Sequence, residues 1–463
     1  MPPSHSSGVP PHASLRPYPA NGAYPPTEEG RASARTVGAA RHRPRPPRRP
    51  AFPRPPRRGP GAGFPERKDI VRLFGFGRRE PTVDDGAVAA SRAADRAEAA
   101  FRSAYGTAPT GVWWAPATLA LCGDHFGGGD TRVLSVALPW GAGVALAPAD
   151  DTAVEVRSTR SPSRPVRLPG RHPRRVPGWA AAVLAALAVS GGAVPGLRVM
   201  VDLGPFDAAP HATVACAVLL AATEIHRGAD AAADRAVLAR TARKVLADHI
   251  ASDTADAVPE TALRATADHA FLLDRRTGRG RPLPLPLGEA GLRLLVVDAG
   301  TAVPGRLAAE RRAECARAAA ALGVSALRDV ADLAGALAAL DDATLRLRVR
   351  HAVAETHRVN AVAGLLHSGA AEEIGPALSA SHLSLRDAFA TVCPRLDTAA
   401  DTAVRRGARG ARMTGSGRRA VALVPDGRVA AVRAGIDAAF AARRWPAPRS
   451  GAAAPAGGAR RLR

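Results

Sequence analysis

The sequence predicts an α+β protein of more than one domain, and three observations lead there. Helical and strand patterns are interspersed along the chain without a regular βαβ repeat, which argues against a doubly wound sheet. The length of 463 residues allows two or three domains and a sizeable core. Apolar residues make up 46 %, an ordinary globular share, but aromatics only 4 %, so Ala, Val and Leu must build the interior.

In chain order, residues 1–82 are rich in Pro, Arg, Gly and Ser, as in RHRPRPPRRPAFPRPPRRGPGAG. Such a segment buries too little apolar surface to offset its ordering entropy, so a disordered extension is expected. From Asp84 the pattern changes. DDGAVAASRAADRAEAAFRSAYG carries apolar residues at helical spacing, closed by Gly106 and Pro109. TGVWWAPATLALCGDH and VLSVALPWGAGVALAP read as strands flanking a Gly-rich turn. PGWAAAVLAALAVS reads as a helix, LRVMVDL as a strand and HATVACAVLLAATEIHRG as a helix. FLLDRR and LRLLVVDA are strands on either side of PLPLPL, a Pro-rich link that marks a domain boundary near residues 286 and 287. The remainder is mainly helical, ending in the strand RAVALVP and the helix RVAAVRAGIDAAFAARR. Residues 449–463 are expected to be a disordered tail.

Charge and cysteine usage bound the function. Residues 1–80 hold 16 Arg and Lys against 5 Asp and Glu, so about half of the formal net charge of +23 sits in one short arm. That arm reads either as a weak polyanion binder or as compositional drift. No basic groove interleaved with aromatics stands out, so no specific nucleic-acid partner is expected. Cys122, Cys216, Cys315 and Cys393 are scattered without a CxxC pair, which fits buried free thiols in a reducing cytoplasm and no metal site. The N-terminus lacks the apolar run of a secretory signal. The apolar stretch 179–204 is broken by glycines and Pro195, so no membrane partner is expected.

Several segments carry a resemblance in order. RVRHAVAETHRVNAVAGLL, SASHLSLRDAF, CPRLDTAADTAV, GARGARMTGSG and ERRAECARAAAALGVSALRDV resemble galactokinase, within the kinase family that phosphorylates galactose, homoserine, mevalonate and phosphomevalonate. The resemblance spans Ala87–Pro448. It implies the two-domain GHMP-kinase fold. A ribosomal-protein-S5-like N-terminal domain would occupy 83–286 and a ferredoxin-like C-terminal domain 287–448, with the site in the cleft between them.

The activity it implies is transfer of the γ-phosphoryl group of ATP, with Mg²⁺, to a small-molecule sugar at the anomeric hydroxyl. Such transfer is mostly positioning and charge stabilisation. The chemistry needs N–H groups at a helix N-terminus, a group that helps hold Mg²⁺, and a carboxylate and a cation at the accepting hydroxyl.

The family's first motif, APGRVNLIGEHTDYNGG, aligns without a gap to APATLALCGDHFGGGDT. Thr118 then takes the place of the family's catalytic arginine. Asp124, His125 and Gly127 fall at the sugar positions, and Asp130 stands close enough to substitute for the aspartate that Gly127 replaces. Asp124 equally suits a turn residue. The phosphate loop GxGLSSSA corresponds to the stretch from Gly204, placing Asp207, Ala208 and Ala209 at the nucleotide. Phe206 occupies a glycine position, and Pro210 has no N–H to give. Asp207 and Pro210 still suit a helix start.

The family's catalytic aspartate maps near Val258. Asp256, two residues away, is the candidate base, with a solvated loop carboxylate as the plainer reading. The third motif, MTGGGFGG, corresponds to MTGSGRR. It places Gly415, Ser416 and Gly417 beside the nucleotide, with Arg418 and Arg419 expected to be solvated at a loop tip. These replacements leave two functions open: a sugar kinase, or a pseudokinase that binds a sugar or regulates without catalysis.

Overall fold

Helix α1 (Ala89–Tyr105) packs a face of Ala90, Ala93, Ala94, Ala97 and Phe101 against the first sheet. It ends at Gly106, whose left-handed φ of 70° lets its N–H reach the Arg102 carbonyl. The computed structural model to which it belongs describes residues 88–124, 130–150, 153–169, 182–183, 186–187, 196–207, 209–249, 257–414 and 417–463. These lie in one compact unit. The predicted extension 1–82 falls outside the described residues, and so does most of the helix expected over PGWAAAVLAALAVS. Within that segment Ala182, Val183, Ala186 and Leu187 are helical and buried.

The first sheet has eight strands. Its path runs β12 (Arg460–Arg461), β1 (Gly111–Cys122), β2 (Arg132–Pro148), β5 (Leu197–Leu203), β3 (Ala153–Ser158), β4 (Ser161–Pro169). The 17-residue β2 is long enough to serve two neighbours. Residues 142–148 pair with β5, and residues 132–135 pair with β6 (His269–Asp274), which in turn pairs with β7 (Arg279–Pro284). Part of the Pro-rich link is therefore strand. Pro282 and Pro284 sit on an edge, where a missing ladder donor is tolerated. Helices α2 (Pro210–Ala233), α3 (Arg235–His249) and α4 (Val258–Arg264) cover this sheet, and nearly every residue of 212–223 is buried.

The second sheet is antiparallel in the order β11 (Arg449–Ala453), β8 (Leu292–Asp298), β10 (Arg419–Pro425), β9 (Gly410–Thr414). Helices α5 (Gly305–Ala321), α6 (Leu333–Ala338), α7 (Ala343–His367), α8 (Gly375–Asp387), α9 (Pro394–Arg405) and α10 (Val429–Ala442) pack on and around it. One apolar cluster joins the halves. Leu119, Leu121, Leu134 and Trp140 of the first sheet meet Leu294, Val296, Val421, Val359 and Leu378 of the second half.

The expected disordered tail is corrected. Ser450, Gly451 and Ala452 pair with Val297, Val296 and Leu295, and Arg460 and Arg461 pair with Trp114 and Trp113. A Gly- and Ala-rich segment carries no strand period of its own; tertiary pairing gives it one. Gly451 is needed there, because a Cβ would stand 2.8–2.9 Å from the Trp140 and Phe206 rings.

Candidate active site

Strand β1 is irregular where it approaches the cleft. Its register against β2 shifts between Pro116 and Thr118, a bulge of the kind that re-aims a strand beside a site. Thr118 offers its carbonyl to the Arg419 guanidinium at 3.2 Å. Arg419 also donates to the Phe206 carbonyl, so β10 is tied to β1 and to the turn that precedes α2. The expectation of solvated arginines is corrected: Arg419 is 2 % exposed and Arg418 pairs with Asp298 at 3.2 Å. Both lie at the start of an apolar strand that draws their side chains back against the fold. Burial pulls the Arg419 pKa down, against the charges of Asp207, Asp298 and Asp124.

The turn from Gly204 is fixed at both ends. The Gly204 N–H donates to the Gly141 carbonyl at 2.7 Å, and a Cβ on Gly204 would sit 2.6 Å from that oxygen. Phe206 keeps a glycine-like φ of 59°. The left-handed backbone costs roughly 1–2 kcal/mol, and burying the ring returns about as much. That ring is 2 % exposed and packs on Trp140 with centroids 4.7 Å apart.

Asp207 Oδ1 accepts the Ala209 N–H at 2.9 Å and so serves the start of α2. Asp207 Oδ2 is buried and has no partner. Burial raises the Asp207 pKa, with the Ala209 N–H, the neighbouring Thr213 hydroxyl and the Arg419 charge pulling the other way. Ala209 is described and flanks Pro210 at the helix start; Ala208 lies outside the described residues.

Asp124, just past the end of β1, is held from the second half of the chain. Arg412 donates to Asp124 Oδ1 at 2.6 Å and Thr414 to Oδ2 at 3.3 Å. Arg412 is 1 % exposed, and its Nε and Nη1 have no partner. Beside it Glu355, also 1 % exposed, accepts from the Gly123 N–H at 3.0 Å, the Ser381 hydroxyl at 2.8 Å and Arg358. Burial pushes Glu355 up, but Arg412, His351 and Arg358 pull harder and bring it to about 2.

Asp130 belongs to a second charged cluster. Arg276 grips it at 2.6 and 2.5 Å and grips Asp329 at 2.8 and 2.7 Å. Next to this clasp Arg328 holds Asp274 at 3.1 and 2.8 Å, which keeps that carboxyl well below its usual range.

His125, Gly127, Asp256, Gly415 and Ser416 lie outside the described residues. Gly417 is placed with φ 68°, its carbonyl accepting from Thr301 at 3.0 Å. A side chain on Gly417 would meet Val303 Cγ2 at 2.3 Å. Val258 opens α4 and is buried.

Two residues on, the sequence reading missed Glu260. It is 1 % exposed, pairs with Arg264 at 2.7 Å, and leaves Oε1 without a partner. Arg412, Arg419, Glu355 and Glu260 share one signal that could have found them: a charge inside an otherwise apolar strand or helix face. Among the described residues no group of three or more His, Cys, Asp or Glu could hold a metal ion.

The geometry brings together a helix N-terminus, a buried carboxylate and a buried arginine between two sheets. Known proteins share this frame. Residues 99–148 match the family described as galactokinase galactose-binding signature, and 362–442 match GHMP kinases C terminal. The galactokinase of Streptomyces coelicolor is 39 % identical over 384 residues, covering 78 % of this chain and 97 % of that protein. A galactokinase of Mycobacterium tuberculosis is 34 % identical over 354 residues, covering 72 % and 97 %. The structure of Lactococcus lactis galactokinase complexed with galactose aligns with a TM-score of 0.69 at 20 % identity, over 79 % of this chain and 98 % of that one.

Proposed function

Because the chain belongs to the galactokinase family, we propose that it transfers the γ-phosphoryl group of ATP to the anomeric hydroxyl of galactose or a related sugar. The observation that carries this reading is the 39 % identity over nearly the whole length of a galactokinase. The galactose-binding signature supports the sugar class, since it covers β1 and all of β2. ATP brings Mg²⁺ with its own phosphates and water in this reading, and no step is assigned to a metal held by the chain. The cytoplasm, where ATP and reducing conditions coincide, is the proposed location. Among the described residues no helix is long and apolar enough to cross a membrane.

The chain's own contribution is positioning. The α2 N-terminus and Arg419 supply positive potential where phosphate charge must be met. Gly204 and Phe206 hold that turn against β2 and Trp140. The dry cluster around Leu119 and Trp140 keeps the two halves in register.

A second reading is a sugar-binding protein without catalysis. One observation favours it: Val258, buried and apolar, stands where the family's spacing puts the catalytic carboxylate. The test is purified chain with ATP, Mg²⁺ and galactose, followed by phosphorus NMR. Formation of a sugar 1-phosphate supports transfer. Galactose binding by calorimetry with no phosphorylated product supports the second reading and overturns the first.

A further inference from the structure

Resting on the phosphotransfer reading, we propose that Asp207 and Arg419 are the reactive pair of the cleft, Asp207 taking the proton of the accepting hydroxyl and Arg419 offsetting charge on the transferred phosphoryl group. Three observations converge on these two residues. Asp207 has one carboxylate oxygen committed to the Ala209 N–H and the other buried with no partner. Arg419 is 98 % buried, its guanidinium pinned by the carbonyls of Phe206 and Thr118, with the Nε–H unpartnered. These contacts place the cation over the turn that starts α2, so the helix N-terminus is not the only feature pointing to an anion. Its two carbonyl partners put Arg419 between the turn that starts α2 and β1, the strand that carries the sugar motif.

A buried unpaired donor and a buried unpaired acceptor are each costly to keep, by about 1–3 kcal/mol in a protein interior. Both become satisfied when a hydroxyl and a phosphoryl oxygen enter. In the step itself the hydroxyl O–H bond breaks and its proton passes to Asp207 Oδ2. The freed oxygen pair forms the bond to the γ-phosphorus, and the bond from that phosphorus to the β-bridging oxygen breaks, its electrons leaving with ADP. The proton then passes to solvent. The groups facing Asp207 are Arg419 of β10, and Thr213 and Cys216 of α2. Glu260 of α4 shares the surroundings of Cys216.

The experiment uses the full chain with Asp207→Asn, Arg419→Lys and Glu260→Gln, assayed with ATP and galactose from about pH 5 to about pH 9. Asn keeps an acceptor for the Ala209 N–H. Asp207→Ser, which also caps, repeats the measurement if the Asn chain misfolds. The expected result is a kcat at least about 100-fold lower for Asp207→Asn, with KM for galactose within about three-fold. The acid limb of the kcat profile should disappear with it. Arg419→Lys should lose about 100-fold in kcat.

Wild-type kcat and an unchanged acid limb in the Asp207 variants would overturn the pair. So would a loss confined to Glu260→Gln. A wild-type chain that makes no sugar phosphate instead overturns the phosphotransfer reading, and the pair's role with it.

Discussion

Arg412 and Asp124 stand 288 positions apart in sequence and 2.6 Å apart in space, joining β9 of the second sheet to the end of β1 in the first. The arginine is 1 % exposed and the carboxylate side chain 13 %. A buried pair is weak evidence for net stability, but breaking one is costly because the survivor is left uncompensated. Arg412→Met should therefore destabilise the chain by about 3 kcal/mol or more, as measured by urea denaturation. A change under about 1 kcal/mol would mean that Asp124 is well solvated without its partner.

The acid response follows from Glu355. Its folded pKa of about 2 lies below the ordinary 4.5, so the unfolded chain takes up this proton first as pH falls. The stabilisation is present above about pH 4.5 and is lost as pH falls through that value toward 2. It should be on the order of 3 kcal/mol. Glu355→Gln should be less stable at pH 7 and show a shallower loss between pH 5 and about pH 3. Identical slopes for both chains would exclude Glu355 as the titrating group.

The clasp of Asp130, Arg276, Asp329, Arg328 and Asp274 separates exposed from shielded charge. Arg276 is 37 % exposed at its side chain, so Arg276→Ala should lower the melting point less than Arg328→Met does, despite its four short contacts. Arg328 is 12 % exposed and bidentate to Asp274, so Arg328→Met should cost about 1.5–3 kcal/mol. Equal melting-point shifts for the two variants would contradict this ordering.

Ending the chain after Pro448 removes β11 and β12 together. It also removes the Arg449 contact to Asp298 and the Arg463 contacts to Glu98 and Asp95. The truncated chain should lose at least about 2 kcal/mol, seen as a lower melting point. An unchanged melting point would show that the pairing of 449–461 adds nothing.

Much of the secondary structure was legible because apolar periodicity is local. LRVMVDL is β5 to the residue, RAVALVP is β10 to the residue, and the alanine face of 89–105 specified α1. The tail was not legible, since GAAAPAGGARR has neither alternation nor β-branched residues and becomes strand only through β8 and β1. The start of α2 was legible in the same sense. The turn beginning at Gly204 and the helix start at Asp207 and Pro210 stood out as motif and cap, while Asp124 and Asp130 were read without the arginines that hold them.

By itself the sequence determined the family and the α+β character, because these depend on motif order and on patterns that span a few residues. The tertiary structure alone decided where the charges go. Arg419 is drawn under the Phe206 turn, Arg412 onto Asp124 and Arg276 onto Asp130, since the partner in each case comes from a distant element. Coulomb energy and desolvation depend on distance and burial in space, and sequence separation carries neither.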